Sequence, residues 1–160
     1  MRQICVCIGI FVALSMSRFV PHPPNFTSLL ALSFYVPALL GIRYLPVLLV
    51  SFAITDFIIG YHLGTHWTWG SVLIIGLISR YFSKNINIRI IGSLFGAFIF
   101  FLITNFGVWI SGMYSYTLKG LIECYTLAIP FFTYSLISTI LFSSIIEAGY
   151  KLYKINSLKI

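Results

Sequence analysis

The chain has 160 residues, of which 59% are hydrophobic and only 8% charged, with a mean hydropathy of +1.01. A soluble domain carries about a quarter charged residues, so this composition excludes an ordinary soluble fold and indicates an integral membrane protein. The formal net charge of +7 sits between hydrophobic runs and forms no basic patch with a fold behind it, so topology accounts for it and nucleic acid is not an expected partner.

One crossing takes about 20 residues, which leaves room for an all-α bundle of short, tightly connected spans and no soluble domain. Six spans are predicted, at 3–17, 28–42, 45–61, 69–83, 88–106 and 119–149, forming a single transmembrane domain over 1–160. In the first span Cys5, Gly9, Ala13 and Ser17 recur every four residues. Such a small-residue stripe lets helices approach closely, so Gly9, Ala13 and Ser17 are expected to pack helices or dock a partner. Arg2, the apolar run and Ala13-Leu14-Ser15 also fit a secretory signal, but Arg18 follows at once and cleavage would leave five spans with the ends on opposite sides. Cys5 and Cys7 point to different faces and read as small buried hydrophobes; with Cys124 they form no metal-ligand spacing.

The first loop, 18–27 (RFVPHPPNFT), contains Pro21, Pro23 and Pro24. Prolines at this density hold the backbone extended, which suits a stiff lid as well as a plain connector. Asp56 then interrupts an apolar run, VLLVSFAITDFIIG, where a carboxylate costs about 2.5–3.5 kcal/mol at a helix centre. It reads as a ligand contact, or as half of a buried pair with Arg18 or Lys119. His62 and His66 have a spacing that suits a metal on a helix, but Gly60, Gly64 and Trp67 give this stretch the look of a loop.

Gly92 and Gly96 repeat the small-residue spacing in the fifth span. The segment 104–123 brings Asn105 and Trp109, and Glu123 follows Lys119 by one turn, as a local ion pair would. Pro130 lies inside the last span and is expected to kink it.

If the amino terminus is cytoplasmic, eight of the ten Lys and Arg residues fall inside, leaving Arg18 and Lys119 outside. The positive-inside rule therefore favours both termini in the cytoplasm. Trp67, Trp69 and Trp109 then lie together at the outer boundary, as interfacial aromatic rings prefer. Three loops, 18–27, 56–70 and 104–123, become one outer surface holding all three histidines. No GxSxG, HExxH or glycine-rich phosphate loop is present, so no catalytic residue, cofactor or metal is expected.

The run Arg18-Phe-Val-Pro-His-Pro-Pro-Asn-Phe-Thr27, Asp56 with Gly60, Thr104-Asn-Phe-Gly-Val-Trp109, Gly120-Leu121, Cys124-Tyr125 and Ala128-Ile-Pro-Phe-Phe132 resembles an uncharacterised family of small bacterial membrane proteins. Tyr35 and Glu123 depart from its pattern. In plan the chain is similar to the substrate-binding S components of energy-coupling-factor transporters. That similarity implies six helices with both termini inside, an outward pocket capped by the first loop, and docking through a small-residue face onto a membrane coupling subunit driven by ATPases. It implies a substrate-capture protein of the bacterial inner membrane, embedded in the lipid bilayer, with a small-molecule substrate. The pocket is then expected to be lined by His22, Asn25, Asp56, Asn105, Trp109 and Tyr125, mixing stacking rings with a few polar groups. The alternative is a membrane enzyme using His22, Asp56 and His62 or His66 at the outer face.

Overall fold

A computed structural model describes residues 2–62 and 64–157; Lys159, counted above among the cations, lies outside them. The described chain is all helical: α1 (Arg2–Phe19), α2 (Leu29–Tyr35), α3 (Leu45–Ile59), α4 (Thr65–Ile78), α5 (Ile86–Val108) and α6 (Leu118–Ser157). Single π turns extend α2 over Val36–Leu40 and α5 over Trp109–Met113. Three segments are long and apolar enough to cross a membrane, Ile42–Ile59, Ile86–Met113 and Leu118–Ile155, while Gln3–Phe19 and Leu29–Leu40 are shorter apolar helices.

Local chemistry accounts for the boundaries. Pro46 sits in the first turn of α3, where its missing N–H is harmless, and Gly60 ends that helix at φ 127°, a value that favours glycine. Asn85 caps α5, its side-chain oxygen accepting from the Ile88 N–H at 3.0 Å. Two predicted features differ. Helix α4 begins at Thr65, so His66, Trp67 and Trp69 are helical while His62 stays in the loop; Trp67 meets Phe106 on α5 and Trp69 meets Asp56 on α3, neighbours that sequence cannot supply. Helix α6 is a single assigned helix of 40 residues that contains Pro130 and ends at Ser157, past the expected end at 149.

Helix α2 is the axis of the bundle. All seven of its residues are buried, and it packs on α4, α5 and α6. Leu29, Leu32 and Val36 meet Ile10, Leu14, Leu48 and Phe52 on one side, and Leu30, Phe34 and Tyr35 meet Ile75, Ala97 and Phe100 on the other. Gly92 and Gly96 make this possible: a Cβ on Gly92 would fall 2.7 Å from the Phe34 ring, and one on Gly96 3.0 Å from Ile75. The large side chains of the periphery point outward instead, among them Ile4, Phe57, Ile91, Ile122 and Ile145. An apolar exterior of this extent is what lipid contact requires. It also explains Cys5, which is exposed, and Cys7, which is half-buried, where both were expected to be buried: in a membrane an apolar helix face need not turn inward.

Candidate functional site

The loops between α1 and α2, α3 and α4, and α5 and α6 gather at one end of the bundle around two adjoining cavities. The larger, about 750 Å³, lies between the end of α5 and the first half of α6, with Phe100, Phe101, Phe131 and Phe132 in its walls. The smaller, about 230 Å³, lies beside Arg18, His22, Phe52 and Asp56. Asn25, His62, Thr68, Phe100 and Ser135 line both, so the two form one compartment with a waist.

The proline-rich loop crosses this compartment. A turn closes from the Phe26 N–H to the Pro23 carbonyl at 3.0 Å, and Asn25 adopts φ 63°, a left-handed conformation that asparagine tolerates. The Asn25 carbonyl accepts from the Ser138 hydroxyl at 3.4 Å, which ties the loop to the middle of α6. At its far end Ser28 bonds Ser17 through hydroxyl and backbone, at 2.7 and 3.1 Å. Ser17 thus joins α1 to the start of α2. Gly9 and Ala13 do not follow it: both are exposed, and a Cβ on Gly9 would meet nothing within 4 Å.

Asp56 is 4% exposed and has no free oxygen. Arg18 Nη2 donates to one at 2.6 Å and Trp69 Nε1 to the other at 2.6 Å, while Arg18 Nη1 reaches Thr55 Oγ1 at 2.8 Å. The Arg18 guanidinium also lies 4.5 Å from the Phe52 ring centre. Asp56 is therefore half of a compensated pair that ties α1, α3 and α4 together beside the smaller cavity.

Asn105 lines the larger cavity; its amide donates to the Phe101 carbonyl at 2.7 Å, leaving Oδ1 without a protein partner. His62 accepts from the Gly64 N–H at 3.1 Å through Nδ1, which leaves Nε2 as its donor position, with no hydrogen-bond partner among the described residues. His22 lines the smaller cavity, its Nδ1 2.8 Å from the Pro23 carbonyl. Trp109 and Tyr125 stand outside the cavity walls. Trp109 Nε1 donates to the Ser115 carbonyl at 3.0 Å with its ring against Phe106 and Tyr116. The Tyr125 hydroxyl donates to the Leu102 carbonyl at 2.6 Å, and its ring meets Phe101 edge-on. The six expected residues thus divide: Asn25, Asn105, His22 and Asp56 line the compartment, and two rings brace the helices behind it.

His66 leans on Trp67, with ring centres 5.4 Å apart. Among the described residues no three His, Cys, Asp or Glu side chains come together, so the geometry supplies no ligand set for a metal. Lys119 and Glu123 are both exposed and form no ion pair; solvent-exposed partners one turn apart gain little from closing.

Sequence reading missed the second buried ion pair. Arg89 on α5 and Glu147 on α6 are joined by two parallel bonds of 2.6 Å, Nε to Oε1 and Nη2 to Oε2. Arg89 Nη1 also donates to the Ser83 carbonyl at 3.2 Å. Glu147 ends a buried polar face of α6 that includes Ser135, Thr139 and Ser143 at intervals of four, and Ser143 meets Ser93 at 3.1 Å. That spacing was readable; the partner on α5 was not.

A family model matches residues 1–159, essentially the whole chain. The chain belongs to DUF6580, a family of unknown function. This match covers the proline-rich loop, both ion pairs and every cavity residue. No curated protein and no solved structure matches this DUF6580 chain.

Proposed function

We propose that this DUF6580 protein captures a small, uncharged, flat solute in the compartment beneath the proline-rich loop and serves as the substrate-binding subunit of an importer. The observation that carries the reading is the cavity of about 750 Å³ walled by four phenylalanines with Asn25, His62 and Asn105 at its edge. Pockets of about 300–1,000 Å³ with apolar walls and a few convergent polar groups are typical of small-molecule sites. Both nearby charges, Arg18 and Asp56, neutralise each other, so the compartment offers stacking surfaces and neutral hydrogen-bonding groups rather than a counter-charge. The Asn25 amide, the His62 Nε2–H and Asn105 Oδ1 are the groups with capacity to spare.

In this reading the six helices each traverse or enter the inner membrane, both termini are cytoplasmic, and the compartment opens outward. The resemblance in plan to energy-coupling-factor S components supports it. The test is mass spectrometry of small molecules released from protein purified in mild detergent, compared with Asn105→Leu. A solute retained by the native protein and lost from the variant supports capture. Absence of any retained solute across independent preparations, with no stabilisation by a broad metabolite panel, overturns it.

A further inference from the structure

The end of the bundle that carries the termini holds a second pair of adjoining cavities, unrelated to the compartment above. One is a cleft of about 810 Å³ between the start of α5 and the last turns of α6. Lys84, Arg89, Lys151 and Lys154 line it, and among the described residues Glu147 is the one carboxylate in its walls. Glu147 is consumed by Arg89, whose guanidinium also lies 5.5 Å from the Tyr150 ring. Among the described residues nothing compensates the positive charge of Lys84 and Lys151, both exposed, at the cleft. Leu39, Ile86 and Ile90 form its apolar side.

The second cavity, about 590 Å³, is a groove bounded by α1, α2 and α6. It shares Leu39 and Tyr150 with the cleft, so the two adjoin. Its walls are apolar, with Val6, Ile10, Val36 and Ile146 among them, and glycine keeps it open from both sides. A Cβ on Gly9 or on Gly149 would meet nothing within 4 Å. Along α1 it runs from Val6 to Ala13, roughly 10 Å at about 1.5 Å per residue.

We infer that this cleft and groove form one binding site for an anionic phospholipid, the phosphate held by Lys84 and Lys151 and an acyl chain lying along Gly9, Ala13 and Gly149. A soluble anion has no use for the apolar groove, and an uncharged lipid has none for the lysines; the adjacency of the two favours a molecule with both parts. Basic pockets between helices at a membrane surface bind acidic head groups in this way, each cation contributing about 1 kcal/mol. The assignment is independent of what the loop-covered compartment binds.

Thermal unfolding of the full-length, delipidated protein in detergent tests it, with additions of phosphatidylglycerol, phosphatidylcholine of the same chains, and inorganic phosphate. Phosphatidylglycerol is expected to raise the melting temperature at concentrations where phosphatidylcholine and phosphate do not. Lys84→Gln with Lys151→Gln is expected to weaken phosphatidylglycerol roughly 30-fold, to the level of phosphatidylcholine. Gly149→Leu, or Gly9→Leu from the opposite wall, is expected to remove the response to both lipids. Equal stabilisation by the two lipids in the native protein overturns the head-group site. Stabilisation by phosphate alone, matching that by phosphatidylglycerol, identifies a soluble anion and overturns the lipid assignment. No response to any of the three overturns both.

Discussion

Asp56 is the residue whose chemistry the sequence advertised most loudly, because a carboxylate inside an apolar run is expensive wherever it goes. What the run does not contain is the partner. Arg18 and Lys119 were both available on the same side, and only the packing of α1 on α3 selects Arg18. Trp69 completes the site from a helix whose start lay inside an apparent loop. The arrangement fixes what substitution does. Asp56→Ala strands the Arg18 guanidinium at 14% side-chain exposure and is expected to lower unfolding stability by about 3–5 kcal/mol, as breaking a buried pair does. Trp69→Phe leaves one carboxylate oxygen bare, at a cost of about 1–3 kcal/mol. Arg18→Met combined with Asp56→Leu removes both charges and is expected to restore most of the loss. Denaturant unfolding in mixed micelles checks all three. A stable Asp56→Ala protein that has lost only its solute would instead make Asp56 a ligand group.

At the scale of the helices, small residues at four-residue spacing turn out to have two different fates. The pattern Gly92, Gly96 on α5 and the pattern Gly9, Ala13 on α1 look alike in sequence, yet the first is buried under Phe34, Phe82 and Ile75 and the second faces open space. Spacing reports which backbone can approach another; it does not report whether another is there. Gly92→Leu is accordingly expected to cost at least about 1–3 kcal/mol, since the Phe34 and Phe82 side chains have no room to give. Gly9→Leu is expected to leave stability within about 1 kcal/mol, its improved helix propensity being the main change. The same logic applies to charge. Arg89 was readable as a cation that orients the chain, but its burial beside Glu147 makes it the clamp between α5 and α6. Glu147→Ala is expected to destabilise by about 3–5 kcal/mol, measured in the same unfolding experiment. The hydroxyl face of Ser135, Thr139 and Ser143 leading to Glu147 was legible as a period; the residue it points to required the fold.

For the molecule as a whole, helix lengths explain why a cavity exists at all. Helix α6, at 40 residues, is roughly 60 Å long at about 1.5 Å per residue, twice the thickness of a bilayer core of about 30 Å. The segment Leu29–Leu40 reaches only roughly 18 Å by the same measure. A central helix that short cannot carry its own loop to the surface, so the 18–27 connection is drawn down until the Asn25 carbonyl meets Ser138, midway along α6. There the loop, the phenylalanines of α5 and α6, and His62 line the compartment between them. Composition predicted the helices and the prolines predicted a stiff loop; the depth of the loop follows from the brevity of α2, which hydropathy spread over the longer stretch 28–42. The proposed orientation, with both termini cytoplasmic and the compartment outward, is testable without knowing the solute. In a background lacking Cys5, Cys7 and Cys124, Lys119→Cys on the loop side and Lys84→Cys on the terminus side report opposite faces. A membrane-impermeant maleimide is expected to label Lys119→Cys in intact cells and Lys84→Cys only after permeabilisation. The reverse pattern inverts the molecule and turns the compartment toward the cytoplasm. Labelling of both positions from one side breaks the alternation of spans on which the outward compartment depends.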